Sequence, residues 1–423
     1  MKKIKIIAGL ISALLVLSGC SINLSDQTGN GVLDLMSEFG DTSWPDASDN
    51  INAGFRKSVY DFSWELFELS SKNTDNVLIS PASVYLALGM AYNGADTETL
   101  TGMSDTLKLS GISAEDFNAF CRDYITLLST MGEKTELSIA NAIWYRKEFK
   151  PDEIFLKKNA DYFGASIKAL DFSSIDAVNT INNWVKKETR DTIDKIIDEI
   201  DASAIMYLMN AVYFKSDWQQ QFSASDTRDG HFISDKGSVN VKYMNRTGNM
   251  SYIDKDGVKG IVLPYDDGRF SFFALLPEEG QSVRSFIEKT DGEKILAYIL
   301  SVKNDRVALS LPKFETRYED SLKDELASMG MKVAFEPFNA DFSLMNADHQ
   351  KNLYISEIKH KTFCRVDEKG TEASAVTSIE MRVTSMPLEP EIKIIFNRPF
   401  VYGIVDTVTH SPLFLGVMDA PSF

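Results

Sequence analysis

The feature that most constrains the fold is an alternating segment that runs from Thr371 to Thr384. Every second residue of this segment is apolar or carries a methyl group: Thr371, Ala373, Ala375, Thr377, Ile379, Met381 and Val383. The intervening residues are polar, with Val376 as the exception. Because successive side chains of a strand point to opposite faces, the pattern predicts a strand that buries one side. Pro387 ends the pattern, since proline lacks the N–H that a ladder hydrogen bond needs.

The first half of this segment, with Gly370 directly before it, is unusual because several of its residues are small. Gly370, Ala373 and Ala375 contribute little buried surface of their own. Small side chains suit a chain that must slide between two existing strands, where bulky side chains would raise the barrier. The sequence therefore favours a strand that inserts into a sheet.

Charge and composition exclude several functional classes. The chain has 61 acidic and 44 basic residues, and its net charge of −17 argues against binding to nucleic acid, which requires a basic face. Its 44% hydrophobic and 25% charged residues are typical of a soluble globular protein. The histidines and cysteines lack paired metal-ligand spacing, so we expect no metal, no cofactor and no disulfide framework. Cys121 and Cys364 lie in apolar surroundings and are predicted to be buried free thiols rather than a disulfide.

Hydrophobic periodicity predicts helices in the first half of the chain. Apolar residues at steps of three and four from Phe55 to Leu69 indicate one face of an amphipathic helix. Ser80 and Pro81 are typical of a helix start, and Asn93-Gly94 is typical of its end.

Strand patterns dominate the second half. The predicted strands are 206–214, 261–265, 270–276, 307–314, 400–405 and 413–418, with a hairpin turn at 266–269. Asn210 interrupts the first of these strands and needs a hydrogen-bond partner. The sequence thus predicts an α+β fold without βαβ alternation, and a single domain over residues 53–423.

The N-terminal 52 residues are predicted to lie outside this domain. Lys2, Lys3 and Lys5 precede an apolar run that is too short to span a bilayer, which is typical of a signal peptide, here residues 1–19. The sequence Leu17-Ser18-Gly19-Cys20 resembles the bacterial lipobox, which implies an acylated Cys20. The polar segment 20–52 is predicted to be a flexible tether. We therefore expect a secreted protein that is lipid-anchored to the outer face of a bacterial membrane.

Several separated motifs resemble the serpin family of serine protease inhibitors. Residues 368–375 (EKGTEASA) resemble the hinge of the family, and 396–400 (FNRPF) resemble the strand that follows its reactive loop. Further matches are 76–81 (NVLISP), 210–214 (NAVYF) with Trp218, and the segment 353–364. The resemblance covers residues 53–420 and implies the serpin fold, in which helices surround a large mixed main sheet, with smaller β-sheets and an exposed reactive loop.

The resemblance also implies the sites and the mechanism. The hinge is formed by Glu368, Lys369, Gly370, Thr371, Glu372, Ala373, Ser374 and Ala375, and the region where the main sheet opens, called the shutter, by Ser80, Ser83, Asn210 and His360. A serine or cysteine protease would cleave the loop, form a covalent complex, and be distorted when the loop inserts into the sheet. No residue of the inhibitor is catalytic in this mechanism, and the chain is expected to act as a monomer. His231, His349 and His410 are assigned no function.

The scissile bond is predicted from the length of the inserted strand. A count from Glu368 places it between Thr384 and Ser385, which coincides with the end of the alternating pattern. A count back from Phe396 moves the bond toward Met386 or Leu388. Arg382 is a further alternative and would suit a trypsin-like protease.

Two other functions remain open from the sequence. A non-inhibitory serpin would be cleaved without trapping its protease, although bulky or charged hinge residues, which signal this, are absent at Thr371, Ala373 and Ala375. The hinge departs from the family preference for alanine at Ser374 and Val376, both on the polar face. A surface lipoprotein with a binding role is the second alternative, but it leaves the alternation unexplained.

Overall fold

A computed structural model describes residues 33–34, 53–72, 76–129, 134–202, 204–266, 268–371 and 392–423. Within this part of the chain the side chains of residues 33, 34, 129, 208, 210 and 211 are not described. The predicted reactive bond, the hinge residues from Glu372 to Ala375, and Cys20 lie outside the described residues.

In the described residues, six α-helices lie in the first half of the chain and three in the second. They are α1 (Ala53–Ser70), α2 (Pro81–Tyr92), α3 (Thr97–Thr106), α4 (Ala114–Ser129), α5 (Glu153–Phe163), α6 (Ala177–Glu188), α7 (Val283–Glu288), α8 (Gly292–Ile299) and α9 (Lys323–Leu326).

The strands are β1 (Leu33–Asp34), β2 (Val77–Ile79), β3 (Thr135–Arg146), β4 (Ser166–Leu170), β5 (Met206–Asp217), β6 (Arg228–Ser234), β7 (Gly237–Lys255), β8 (Val258–Pro264), β9 (Phe270–Leu276), β10 (Lys303–Pro312), β11 (Phe314–Ser321), β12 (Lys359–Val366), β13 (Gly370–Thr371), β14 (Ile392–Ile395), β15 (Phe400–Asp406) and β16 (Pro412–Met418).

The strands form two sheets. The main sheet has seven strands in the order β1-β4-β3-β5-β13-β12-β11 and is mixed, because β3 and β4 pair in parallel. The second sheet has nine strands, with β14-β10-β7-β8-β9-β15-β16-β2 in order and β6 paired to β7. The α+β class and the large mixed main sheet are therefore confirmed, and one nine-stranded sheet takes the place of the several smaller sheets that were expected.

The predicted helix starts and buried strands are confirmed. Phe55, Phe62 and Leu66 of α1 are fully buried on one face, and α2 starts at Pro81 with Ser80 as its extended N-cap residue. Every residue of α2 is buried. A helix that is apolar on all sides must lie in the core, and α2 packs against β3 and β5 of the main sheet and β16 of the second.

Two predictions differ from the structure. The predicted strand 307–314 is divided at Lys313, because β10 belongs to the nine-stranded sheet and β11 to the main sheet. Leu33 and Asp34, inside the predicted flexible tether, form β1 and pair with Ala169 and Lys168 at the edge of the main sheet. Within the described part of the chain, no helix is long and apolar enough to cross a membrane.

Candidate functional site: the opening in the main sheet

The first two residues of the alternating segment already lie inside the main sheet. Gly370 pairs with Asp217 and Thr371 with Ser216 of β5, while Thr371 also pairs with Val366 of β12. Both pairings are antiparallel, so β5 and β12 run parallel to each other on either side of β13. The short strand β13 therefore occupies the first positions of a central strand.

A tight turn leads from β12 into β13. The backbone N–H of Asp367 donates to the carbonyl of Gly370 at 3.0 Å, and the N–H of Lys369 donates to the Asp367 side chain at 2.9 Å. Side-chain oxygens of aspartate commonly stabilise turns in this way. The turn therefore reverses the chain and places Thr371 next to β12.

The chain that follows β5 holds the carbonyl groups of this turn. The indole Nε1 of Trp218 donates to the carbonyl of Asp367 at 2.8 Å, and the backbone N–H of Trp218 donates to that of Lys369 at 2.7 Å. The N–H of Phe222 donates to the carbonyl of Glu368 at 2.8 Å. Three consecutive carbonyl groups are thus satisfied by residues 218–222, which fixes the position of the hinge.

The Glu368 side chain adds an ion pair to this arrangement. Its carboxylate lies 2.7 Å from the Lys313 ammonium and accepts a hydrogen bond of 2.7 Å from the hydroxyl of Thr227. Burial alone would raise the pKa of Glu368, but the hydrogen bonds from Lys313 and Thr227 hold it below the ordinary value. Lys313 is the residue at which the chain leaves the nine-stranded sheet for the main sheet, so this ion pair links the crossing point to the hinge.

Gly370 is required by a close approach of two backbones. A Cβ atom at this position would lie 2.0 Å from the carbonyl oxygen of Ser216 and 2.8 Å from the Cα of Asp217. Both of these atoms belong to the backbone and have little freedom to move. Any side chain at residue 370 would therefore push the hinge away from β5.

Thr371 lies on the buried face, as the alternation predicted. The residue is 2% exposed, and its hydroxyl lies 2.6 Å from the hydroxyl of Tyr265. The Tyr265 ring stacks on Trp218 with centroids 4.8 Å apart. Burial raises the pKa of Tyr265 well above its ordinary value, so the phenol remains a neutral hydrogen-bonding partner.

The predicted shutter lies farther along the same pair of strands. Val366 of β12 and Ser216 of β5 both pair with Thr371, so they lie at the same level of the sheet. Six residues earlier in these parallel strands are His360 and Asn210, which therefore also lie at one level. At about 3.3 Å per residue this level is roughly 20 Å from the hinge.

His360 joins this level to the start of α2. Its Nε2 accepts a hydrogen bond of 3.0 Å from the backbone N–H of Ser80, so the neutral ring carries its proton on Nδ1. The residue is 3% exposed, and burial lowers its pKa to about 4. Ser83 is also buried in this region, and neither its hydroxyl nor that of Ser80 has a hydrogen-bond partner within the described residues. The structure therefore brings His360 and Ser80 into direct contact, whereas Ser83 joins no hydrogen bond of this group.

Several residues of the site were missed by sequence reasoning. Thr362 donates a 2.6 Å hydrogen bond to the carbonyl of Leu78 and ties β12 to β2. Lys313, Thr227 and Tyr265 contact the hinge but lie far from it in sequence. An isolated polar or aromatic residue gives no signal of such a role, since its partner depends on tertiary packing.

The remaining cysteines and titratable groups do not form a reactive centre in the described chain. Cys121 and Cys364 are buried and form no disulfide with each other, as predicted, and burial raises the pKa of Cys121 well above its ordinary value. No group of three or more metal-ligating side chains is found in the described ranges. At the hinge, Thr371 lies between β5 and β12 and pairs with both strands.

Comparisons with known proteins agree on one family. The family model described as Serpin (serine protease inhibitor) matches residues 57–421. An uncharacterized serpin-like protein of Thermococcus kodakarensis is 32% identical over 371 residues, which are 86% of this chain and 85% of that protein. Leukocyte elastase inhibitor A of Rattus norvegicus is 31% identical over 375 residues, covering 85% of this chain and 97% of the relative.

Two solved structures of the thermophilic serpin Tengpin permit a comparison of states. Its native state has a TM-score of 0.85 at 39% identity, covering 92% of this chain and 99% of that chain. Its latent state has a TM-score of 0.78 at 40% identity, covering 88% and 99%. The described part of this chain is thus more similar to the native form.

Proposed function

Because the chain belongs to the serpin family, we propose that it inhibits a serine or cysteine protease by acting as a suicide substrate. The observation that supports this proposal is the position of Thr371 between β5 and β12. The residue is buried, paired on both sides, and bonded to Tyr265. A strand that continues from it would find two edges ready for ladder hydrogen bonds.

The proposed reaction begins when the nucleophile of the protease attacks the carbonyl carbon of Thr384. The peptide bond to Ser385 breaks, its amine leaves with a proton, and an ester or thioester joins Thr384 to the protease. The freed loop then inserts behind Thr371 and moves its end by about 45–50 Å, from roughly 3.3 Å per residue. The protease is distorted before water can hydrolyse the covalent bond.

The proposed driving force is burial of the apolar face of the loop. Ile379, Met381 and Val383 would enter the core, at about 1.5–3 kcal/mol each. The native state is then trapped kinetically, with the loop outside a sheet that it would stabilise.

The residue before the scissile bond suggests the class of target. Thr384 would fit proteases with small or medium apolar pockets, such as elastase-like or subtilisin-like enzymes. The similarity to a leukocyte elastase inhibitor supports this choice. Arg382 is kept as the alternative and would select a trypsin-like enzyme.

Mixing the protein with a panel of proteases tests this function. We expect an SDS-resistant complex with an elastase-like enzyme, a released C-terminal peptide that starts at Ser385, and a cleaved form that melts well above the intact form. A peptide that starts at Val383 would assign the bond to Arg382. Complete cleavage with neither a stable complex nor a rise in melting temperature would instead indicate a non-inhibitory serpin.

We also propose that acylated Cys20 anchors the mature protein to the outer face of a membrane. The supporting observation is the lipobox-like sequence from Leu17 to Cys20. The variant Cys20→Ala should move the protein from the membrane fraction to the soluble fraction, whereas the neighbouring Ser21→Ala should not. Retention of Cys20→Ala on membranes would refute the anchor without affecting the proposed inhibition.

A further inference from the structure

A pocket of about 320 Å³ is lined by the chain that follows β5, the middle of β7, the end of β8 and the start of β10. Gln219 and Gln220 form one wall, and Asn304 of β10 lies across from them. This volume is within the range of pockets that hold small organic ligands. The reactive loop and the shutter do not contribute described residues to it.

Arg246 is the only charged side chain among the residues that line this pocket in the described chain. Its guanidinium lies over the ring of Phe222, with the central carbon 4.8 Å from the ring centroid. One terminal nitrogen, Nη1, donates to the backbone carbonyl of Gln220. Nε is buried without a hydrogen-bond partner, and within the described residues no carboxylate forms an ion pair with Arg246.

A second largely buried arginine provides a contrast. The Nε of Arg269 donates to the carboxylate of Asp406 at 2.6 Å, and that carboxylate is fully buried. Buried charges in proteins are normally compensated by a partner of this kind. Burial lowers the pKa of Arg246 to about 10, which still leaves it cationic at neutral pH. Arg246 is therefore a cation whose counter-charge is missing from the described chain, although the protein has a net charge of −17.

The other lining residues define what could supply this charge. Asn304 accepts a 2.8 Å hydrogen bond from the hydroxyl of Ser251 through Oδ1, which leaves its amide N–H groups as donors. Val262 is the partly exposed apolar side chain in the same pocket, whereas Met250 and Leu263 are buried in the hydrophobic core. Because Nη1 is bonded and Nε is buried, Nη2 is the guanidinium nitrogen that can donate to a bound carboxylate, and amide donors can add to this contact.

We propose that this pocket binds an organic carboxylate with an apolar body, whose carboxylate pairs with Arg246. The apolar body packs on Val262 while the amide side chains surround the charged end. A free acid and the C-terminal residue of a peptide share this chemistry. This proposal does not depend on protease inhibition.

Binding of N-acetyl-L-leucine tests the proposal, with N-acetyl-L-leucinamide as the matched uncharged probe. The protein is labelled with ¹⁵N-arginine, and the Nε–Hε resonance of Arg246 is followed during titration. We expect saturable binding that shifts this resonance, and affinity for the amide that is lower by about tenfold or more, because a hydrogen bond to a charged group is lost. The peptide Ala-Ala-Leu distinguishes the two sources, since tighter binding than that of N-acetyl-L-leucine would favour a peptide terminus.

Two variants complete the experiment. Arg246→Met keeps an unbranched apolar stem without the charge, and should lower the affinity for N-acetyl-L-leucine by about tenfold or more. Arg246→Lys keeps the positive charge but lacks the planar guanidinium. Its affinity for N-acetyl-L-leucine should lie between those of the wild-type protein and Arg246→Met. Equal affinity of the acid and the amide for the wild-type protein, or an unshifted Arg246 resonance at millimolar acid, would overturn the proposal even if a variant failed to fold.

Discussion

The neighbouring strands β5 and β12 have different polar contacts at the hinge and at the level of His360. At the hinge, residues 218–222 satisfy three carbonyl groups of the turn, and Glu368 is paired with Lys313. At the level of His360, roughly 20 Å away, one imidazole nitrogen bonds to the backbone of α2, and two buried serine hydroxyls have no partner in the described chain. The hinge therefore positions the start of a strand, whereas the level of His360 has fewer hydrogen bonds among the described side chains, which do not include that of Asn210.

This difference gives a direction to the proposed insertion. A strand adds residues most easily where its first pairs already exist, because the entropy of alignment has been lost there. Thr371 supplies those first pairs. Insertion would then proceed from the hinge toward His360, where fewer hydrogen bonds among the described side chains must break.

The largest expected effect comes from a charge at the first buried position. Thr371→Arg would place a cation at a site that is 2% exposed, at a cost on the order of several kcal/mol. We expect the variant to be cleaved as a substrate without forming an SDS-resistant complex. Thr371→Ser, which keeps the hydroxyl near Tyr265, is the matched control and should still form the complex. Undiminished trapping by Thr371→Arg would show that insertion does not begin at the hinge.

A smaller effect is expected at the other end from protonation of His360. Its pKa of about 4 in the folded state lies below the ordinary value of 6.5, so the unfolded chain binds the proton more readily. The contribution of the neutral ring to stability is thus complete above pH 6.5 and is lost as the pH falls toward 4. At about 1.4 kcal/mol per pKa unit this loss is about 3 kcal/mol.

Urea unfolding at several pH values measures this loss. His360→Gln should flatten the pH dependence of the unfolding midpoint between pH 6.5 and 4. The exposed His231→Gln should leave the dependence as it is in the wild-type protein. An unchanged pH profile in His360→Gln would mean that other groups control the acid stability of this end.

The smallest expected effect concerns the close approach at Gly370. Gly370→Ala would place a methyl group against the backbone of Ser216, and overpacking of this kind costs about 1–3 kcal/mol. The hinge should then leave β5, with a lower melting temperature of the intact protein and faster hydrogen exchange at Trp218. Gly248→Ala is the control, since nothing lies within 4 Å of a Cβ at that position. Equal melting temperatures for the two variants would show that the hinge contributes little to the stability of the intact form.

Local patterns predicted those elements whose residues alone decide their structure. The spacing from Phe55 to Leu69 required a helix, and the turn residues 266–269 required a hairpin between β8 and β9. The segment 307–314 was misread as one strand because both sides of Lys313 are equally strand-like. Alternation reports which face of a strand is buried but not which sheet the strand joins.

The sequence by itself determined the α+β class, the family resemblance and the buried face of Thr371, whereas the hinge and shutter residues remain predictions from that resemblance. Tertiary structure decided that the hinge is already seated between β5 and β12, and that Trp218, Tyr265 and Lys313 hold it there. The physical reason is that periodicity is a property of neighbouring residues, whereas a hydrogen bond or ion pair forms between residues that only the packed chain brings within reach.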